Sequence, residues 1–500
     1  MKKRIQTLIS AISENMYERE HVIALSLLAA IAGSNTFLYG APGTAKSLIS
    51  RRIASAFEVR SYFEYLMNRF STPEEIFGPV SIKALKQDQY LRKTEHYLPQ
   101  ADFAFLDEIW KASPAILNTL LTLLNEKIFK NGEAIEKVLL KVLMSASNEI
   151  PMENQGLDAL YDRFILRLVV KPIVKLENFH ALLQAKPNSA KVEIASDLVV
   201  KESELLLWRE QIYDVQFPDD ILKIIDAIKH KLDFIYDDHQ IYVSDRRWQR
   251  IAYLLKTSAF LNDRNQVNLT DLFILQYCLW NQIDDIAYIE KTLQETIADY
   301  GLNSDLDYDA LIQKKDLLEN KILHTFYYMD DVYESYLIKD KEYLKAITNL
   351  DQHYKDKVLY LELNKMDTKK DFFAVDERGE EIRGIVCNFN GTRQCNLKGG
   401  YYGLEEVVTP YIKYEKGSKR NNVSAQEKYD LLHNVQELKE QFEQEKKIIQ
   451  QRLNEQSEQF YSVFIVKDEV TQLLRQVQEK ITRYDLQVSD MQRLEQLCKQ

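Results

Sequence analysis

Thr36-Phe37-Leu38-Tyr39-Gly40-Ala41-Pro42-Gly43-Thr44-Ala45-Lys46-Ser47-Leu48 is an apolar run, a glycine- and proline-bearing loop and a Lys-Ser pair, with a helical stretch continuing to Phe57. A strand that passes through such a loop into a helix is a phosphate-binding arrangement. Backbone N–H groups from Gly40 to Leu48 wrap the phosphates, and the helix N-terminus adds a favourable dipole. Lys46 would reach the phosphates and the Ser47 hydroxyl would hold Mg²⁺. Ala45 stands where such loops usually carry their last glycine. The expectation is that the chain has already entered the helix there, with an ordinary φ at which a methyl group costs little. Taken alone, the stretch also reads as a tight turn before a core helix.

The rest of a nucleotide site follows in order. Phe103-Ala104-Phe105-Leu106-Asp107-Glu108 is an apolar run ending in two carboxylates, which reads as a buried central strand of a parallel sheet. Ligands bind at the C-terminal edge of such sheets. Asp107 would hold Mg²⁺ through water, and Glu108 would orient and deprotonate the attacking water, worth about 10²–10⁴ in rate. Val138 to Met144 is another apolar strand, leading to Ser145-Ala146-Ser147-Asn148-Glu149, and Asn148 at its tip is assigned as a sensor of the lytic water or the γ-phosphate. Arg163, in Leu160-Tyr161-Asp162-Arg163-Phe164, would act in a neighbour's site as a finger worth about 10³–10⁵ in rate. Val243-Ser244-Asp245-Arg246-Arg247-Trp248 opens a helix in an all-helical stretch. Arg246 is read as reaching the γ-phosphate from a lid, with Arg247 at the same helix start as its alternative. For either arginine the plain reading is a surface ion pair worth little.

These residues together resemble the MoxR class of AAA+ ATPases, and within it the RavA branch. The resemblance is carried by Gly40 to Ser47 with Ala before the Lys, by Arg69-Phe70-Ser71-Thr72-Pro73-Glu74-Glu75-Ile76-Phe77-Gly78-Pro79, and by the run from Leu106 to Leu121. Tyr17-Glu18-Arg19, Ala159 to Arg163 and Ser244 to Trp248 extend it over roughly residues 10–290. The resemblance implies ATP and Mg²⁺ as ligands and a hexameric ring with ATP at subunit boundaries. It also implies a partner carrying a von Willebrand factor A domain and chaperone-like remodelling of a client protein that the sequence does not identify. In that class an inserted β-hairpin between Pro73 and Leu98 faces the ring's pore. A second hairpin is expected at Phe129-Lys130-Asn131-Gly132-Glu133, where Asn-Gly favours a two-residue turn. Two ordinary surface hairpins are the alternative.

The fold class expected is α/β: a doubly wound phosphate-loop core over 1–190, an all-helical lid over 191–300, then a helical arm carrying a small β-rich module. The arm is read as 301–365 together with 424–500, and the module as 366–423, a span holding half of the chain's fourteen glycines. Lys186-Pro187-Asn188-Ser189 marks the end of the core. The helices expected in the lid are Glu202–Tyr213, Pro218–Phe234, Asp245–Leu261 and Thr270–Trp280. In the module, turns are expected at Glu377-Arg378-Gly379, Asn390-Gly391 and Lys398-Gly399-Gly400, with Tyr401-Tyr402 among its apolar pieces. Beyond Ser424, apolar seams through Leu431, Val435, Leu438 and Phe442, and through Val470, Val477, Ile481 and Tyr484, call for helices packed on each other or on the earlier helical stretch. An intermolecular coiled coil is the alternative.

Composition sets the remaining bounds. The 500 residues carry a net charge of −11, which argues against a protein that tracks a nucleic-acid backbone over a large surface. The four cysteines, Cys278, Cys387, Cys395 and Cys498, match no zinc spacing or disulfide framework and read as reduced thiols of a cytoplasmic protein. The N-terminal stretch is a poor signal peptide, and Val22 to Ile31 is too short to span a bilayer and reads as a buried helix. A ring ATPase that remodels proteins is the function expected. A nucleotide-gated scaffold has no need of the water-activating Glu108, and the acidic charge counts against a nucleic-acid motor.

Overall fold

The computed structural model describes residues 1–151, 156–185, 192–233, 241–300, 308–333, 335–348, 357–366, 368, 370–389, 394–399, 404–410, 412–420, 423–456 and 460–499. The stretches expected at Lys186 to Ser189, at Asn390-Gly391 and from Gly400 to Tyr402 lie outside them, as does Phe234. The chain forms two compact units, residues 1–305 with 445–483 and residues 306–444 with 484–500.

The first unit opens with helices α1 (Lys2–Ile12) and α2 (Glu20–Ala32). Every residue of α2 from Ile23 to Ala32 is buried, as its unbroken apolar sequence requires, and Gly33 closes it in the left-handed conformation with φ 67°. A parallel sheet follows, built from β1 (Asn35–Tyr39), β2 (Tyr62–Leu66), β3 (Phe103–Asp107), β6 (Val142–Ser147) and β7 (Phe164–Val169) in the order β2-β3-β6-β1-β7. Its central strands are buried on both faces, which is why they read as continuous apolar runs. The register pairs Tyr39 with Ser147 and Asp107 with Ala146, so β1, β3 and β6 end level with one another.

Between β1 and α3 (Lys46–Ser55) lies the expected loop, with one departure. Ala45 does not have an ordinary φ: it sits at φ 66°, ψ 27°, in the left-handed region before the first helical residue. There the Cβ crowds the following carbonyl, at a cost of about 1–2 kcal/mol, and this is what a glycine at that position would avoid.

The segment after β2 is helical where a β-hairpin was expected. Helix α4 (Pro73–Phe77) starts from Thr72 with Pro73 in its first turn and Glu75 folding back onto the Thr72 N–H at 2.7 Å, and α5 (Ile82–Leu85) starts from the Ser81 hydroxyl. A single bridge joins Val80 to Arg92. The second hairpin does form, as β4 (Ile128–Asn131) and β5 (Ala134–Lys137), after helix α6 (Pro114–Glu126). Its two-residue turn is Gly132-Glu133, with Gly132 at φ 63°, so Asn131 belongs to the strand. The Asn131 amide instead pairs with the Arg92 backbone, accepting from N–H at 2.6 Å and donating to the carbonyl at 3.0 Å.

Helices α7 (Asp158–Tyr161), α8 (Leu176–Gln184), α9 (Glu202–Gln211), α10 (Asp219–Asp233), α11 (Asp245–Leu261) and α12 (Asp285–Tyr300) complete the run through the lid. The helix expected over Thr270–Trp280 is a run of 3₁₀ turns from Asp271 to Tyr277, with i→i−3 bonds such as Leu272 N–H to the Leu269 carbonyl at 3.2 Å. Asp271 is fully buried and takes Arg264 bidentately at 2.6 and 2.8 Å, with the Ser258 hydroxyl at 2.6 Å. Residues 460–466 return to this unit. The Asn262 amide donates to Ser462 Oγ at 3.0 Å and accepts from Val463 N–H at 3.1 Å, while His21 Nε2 lies 3.0 Å from the Phe464 carbonyl.

The second unit begins with α13 (Tyr308–Phe326), but the helix expected to continue to 365 stops there. Strands β8 (Tyr327–Tyr333), β9 (Ser335–Ile338), β10 (Lys341–Thr348) and β11 (Lys357–Glu362) take its place. The alternation of Leu344, Ala346 and Thr348 inward, and of Leu359 and Leu361, is a period of two that the Tyr- and Lys-rich composition obscures. With β12 (Phe372–Val375), β13 (Glu381–Phe389), β14 (Cys395–Gly399) and β15 (Leu404–Val408) they form an antiparallel meander from β9 to β15. Thr348 on β10 hydrogen bonds Glu406 on β15 at 2.5 Å, so the sheet curls over its apolar face. The turn at Glu377 to Gly379 is present, with Gly379 at φ 76°. A ribbon of β8 with β16 (Ile412–Lys419) links the meander to α13 and to α14 (Ala425–Gln456). Helix α15 (Lys467–Lys499) packs here through Tyr484, whose ring meets those of Phe442 and Tyr308, and through an Asp490–Lys315 ion pair at 2.9 Å. All four cysteines are buried and free.

Two outcomes follow from this packing. Ala45→Gly should leave stability unchanged or raise it by up to about 1 kcal/mol, because relief of the left-handed alanine offsets the extra unfolded-state entropy. Ala54→Gly, within the same helix at an ordinary φ, should lose about 1 kcal/mol or more. Urea denaturation of both variants checks the difference. Asp271→Ala strands Arg264 among buried groups and should cost about 3–5 kcal/mol in the same assay.

Candidate functional site

The loop from Gly40 to Ser47 is anchored at both ends. Gly40 N–H donates to the Ser147 carbonyl at 3.1 Å, and a Cβ at Gly40 would stand 2.4 Å from the Val170 carbonyl oxygen, so no side chain fits there. Thr44 Oγ1 closes the loop on the Ala41 carbonyl at 2.9 Å. The Lys46 ammonium lies inside it, donating to the Gly40 and Ala41 carbonyls at 2.8 and 2.9 Å. Burial lowers the Lys46 pKa from its usual value, and Asp107 and Glu108 act against that shift. A buried cation at the mouth of a glycine-bearing loop, at the start of a helix, suits an anionic ligand.

Asp107 ends β3 beside this loop. Burial raises its pKa, while the Glu108 N–H, donating to Asp107 Oδ1 at 3.0 Å, and Lys46 pull it back. Glu108 adopts φ 52°, ψ 42°, a left-handed conformation rare for a long side chain. Such conformations gather at functional sites, where the surroundings hold them. Its Oε2 lies 3.1 Å from Lys111 Nζ and accepts from the Ser147 hydroxyl at 3.4 Å. Asn148, at the tip of β6, has its Oδ1 buried without a hydrogen-bond partner. The Ser47 hydroxyl and the Asp107 carboxylate are hard oxygen donors, and no cluster of three or more metal-ligating side chains occurs among the described residues. That donor set fits Mg²⁺, which binds through one or two protein groups together with phosphate oxygens.

A cavity of about 320 Å³ adjoins the loop, lined by residues 41–45 and by Met16, Tyr17, Arg19, Ile173, Phe179 and Leu182. Arg19 is buried and donates through Nε to the Thr44 carbonyl at 3.3 Å. Glu18 accepts from the backbone N–H groups of Val174 and Lys175 at 3.0 and 2.9 Å and from the Asn178 amide at 2.9 Å. These bonds hold the start of α8 against the cavity and drive the Glu18 pKa down to about 2, the Asn178 bond first among them.

The arginines lie elsewhere. Arg163 follows α7 at the start of β7, where its carbonyl takes the amide of Asn35, the first residue of β1. It therefore occupies the sheet edge opposite the loop. Its Nε donates to Asn125 Oδ1 at 2.6 Å, and Arg246 Nη1 donates to the same oxygen at 3.2 Å. Arg246 thus stands beside Arg163, and its expected reach over this chain's own phosphate loop does not fit the geometry. The parallel register places the two ends of each strand at opposite edges, and Arg246 sits at the far one. Arg247 is no alternative for that role. It is fully buried, donates to Asn281 Oδ1 at 2.7 Å and to the carbonyls of Cys278 and Trp280, and its pKa is pushed down to about 9 by burial and by Arg167. Arg167 on β7 shares the Asn281 oxygen at 2.9 Å, so two buried arginines tie the core strand to the lid.

The structure thus brings Lys46, Ser47, Asp107, Glu108 and Asn148 to one edge and Arg163 and Arg246 to the other. Sequence reasoning passed over Ser147, Lys111, Arg19 and Asn125. Ser147 stood next to the chosen Asn148, but Asn125 had no signal beyond being a polar residue in a last helical turn.

The chain is similar to known proteins over its first 300 residues. A family profile described as the MoxR domain in the MoxR-vWA-beta-propeller ternary systems matches residues 3–207, and an AAA lid domain profile matches residues 220–293. An uncharacterized protein of Methanocaldococcus jannaschii is 37% identical over 318 residues, 63% of this chain and 79% of that one. A second from the same organism is 40% identical over 269 residues, 54% of this chain and 69% of that one. A crystal structure from Cytophaga hutchinsonii, described as that of a "putative ATPase", is 18% identical over 59% of this chain and 94% of its own, with a TM-score of 0.46. With the phosphate loop, the paired carboxylates and the lid in place, the chain belongs to the MoxR class of AAA+ ATPases.

Proposed function

We propose that this chain hydrolyses ATP at the boundaries between copies of itself in a ring, hexameric as in the class and RavA-like in plan, and uses the cycle to remodel a partner protein complex. The observation that carries this reading is the split of the site. Lys46, Asp107, Glu108 and Asn148 lie at one sheet edge, and Arg163 and Arg246 lie at the other, joined to Asn125. A second copy presenting its arginine edge to the phosphate loop of the first completes the set.

In that set Lys46 leaves its two loop carbonyls for the β- and γ-phosphates, and the backbone N–H groups from Gly43 to Leu48 take the remaining oxygens. The adenine lies in the cavity beside Tyr17 and Phe179. Ser47 and Asp107 would hold Mg²⁺, which when bound would neutralise phosphate charge. Glu108 takes a proton from the attacking water, and the free Asn148 oxygen orients that water. The partner copy's arginines stabilise the charge that develops as the γ-phosphate leaves. The matched profile is named for systems in which MoxR acts with a von Willebrand factor A protein, which supports such a partner here. Four free buried thiols suit a reducing cytoplasm.

The test is ATP hydrolysis against protein concentration, with sedimentation in ATP, for the wild type and for Glu108→Gln and Lys46→Ala. Turnover per chain should rise with assembly. Glu108→Gln should bind ATP and assemble while losing at least about a hundredfold in turnover, and Lys46→Ala should lose ATP binding. A rate independent of concentration, or equal in wild type and Glu108→Gln, contradicts the proposal.

A further inference from the structure

Asn125 Oδ1 accepts from two guanidinium groups at once, Arg163 Nε at 2.6 Å and Arg246 Nη1 at 3.2 Å. Two like charges share one neutral oxygen. The ordinary partner for such a pair is a carboxylate, which would bind more strongly and cancel part of the charge. The neighbouring acid, Asp162, is 3.9 Å from Arg163 Nη1 and takes the Ser244 hydroxyl at 2.8 Å. Arg163 also donates to the Ala159 carbonyl at 2.6 Å, another neutral acceptor. The two guanidiniums are therefore held in place chiefly by neutral oxygens and keep a field that an anion would meet.

Asn125 sits in the last turn of α6, which is fixed to the core by the buried Ile116, Leu117, Leu120, Leu123 and Leu124. The same helix begins at Pro114, a short 3₁₀ turn (Ile109–Lys111) after Glu108. A 3₁₀ turn and one core-packed helix thus lead from the acid of this chain's own site to the arginines at the opposite edge.

We infer that Asn125 is a positioning residue for the reaction in the adjoining copy: its amide oxygen sets the spacing of Arg163 and Arg246 without neutralising them. This rests on the reading above, in which those arginines act across a subunit boundary. An aspartate in the same place would keep the shape and the acceptor, yet it would bind both guanidiniums to its own chain and cancel charge that the γ-phosphate would otherwise meet.

That difference separates a positioning role from a merely structural one. The full chain is compared as wild type, Asn125→Asp, Asn125→Ala and Arg163→Ala, measuring kcat and KM for ATP with Mg²⁺, assembly by sedimentation and the thermal midpoint. Asn125→Asp should keep its assembly, its thermal midpoint and a KM within about twofold, while kcat falls about tenfold or more, part of the 10³–10⁵ that such arginines contribute. Asn125→Ala should also lose kcat, because the pair loses its shared acceptor. Either Asn125 variant turning over at the wild-type rate while Arg163→Ala is inactive overturns the inference and leaves the shared-site reading standing. Arg163→Ala turning over like the wild type removes that reading, and this inference with it.

Discussion

Strand direction in the core sheet is the constraint on which the rest of the structure depends. All of its pairings are parallel, so β1, β3 and β6 end at one edge and begin at the other. Their level ends bring the phosphate loop, Asp107 and the Ser147-Asn148 tip together without any long-range folding of loops. The same geometry sends the start of β7, and with it Arg163, to the far edge. No side-chain movement within one chain closes a gap that the sheet itself spans. The site proposed above therefore draws its arginines from a second copy.

Beside the loop, Lys46 bonds neutral oxygens while Glu108 is paired with Lys111. Lys46 is buried and faces Asp107 and Glu108, but it bonds carbonyl oxygens of its own loop. Glu108 has a left-handed backbone conformation, and its carboxylate meets Lys111 and Ser147. Asn148 carries a buried acceptor with no partner. The left-handed backbone of Glu108 and the unpartnered Asn148 oxygen each cost stability in the protein alone, as residues of a functional site can. The buried arginines at the lid junction differ. Arg167 and the two terminal nitrogens of Arg247 donate to carbonyls and to Asn281, which makes that junction a structural clamp.

Much of this could be read from residues alone, and the limits have physical causes. The phosphate loop, the acids closing β3 and the asparagine closing β6 are local: a strand, its end and the residue types there define them. The buried helix α2 is legible because no polar face interrupts it. Ala45 misled because the alanine methyl is tolerated at a left-handed position that the sequence does not mark. Arg246 misled because its role depends on which sheet edge the lid helix meets, which is a tertiary fact. The strands Lys341–Thr348 and Lys357–Glu362 were hidden because Lys345, Tyr343 and Tyr360 interleave with Leu344, Ala346, Leu359 and Leu361 and dilute their period-two signal. Asn125 was invisible because its importance lies wholly in two arginines, one 38 and the other 121 residues away in sequence.

The most direct test of the central claim is complementation between two inactive variants, Glu108→Gln and Arg163→Ala, mixed before assembly. Each lacks one half of every site, but a boundary that pairs the phosphate loop of an Arg163→Ala copy with the arginines of a Glu108→Gln copy is intact. Random mixing in equal amounts into a closed ring should restore about a quarter of the wild-type turnover. A mixture as inactive as its components would contradict a site shared between copies.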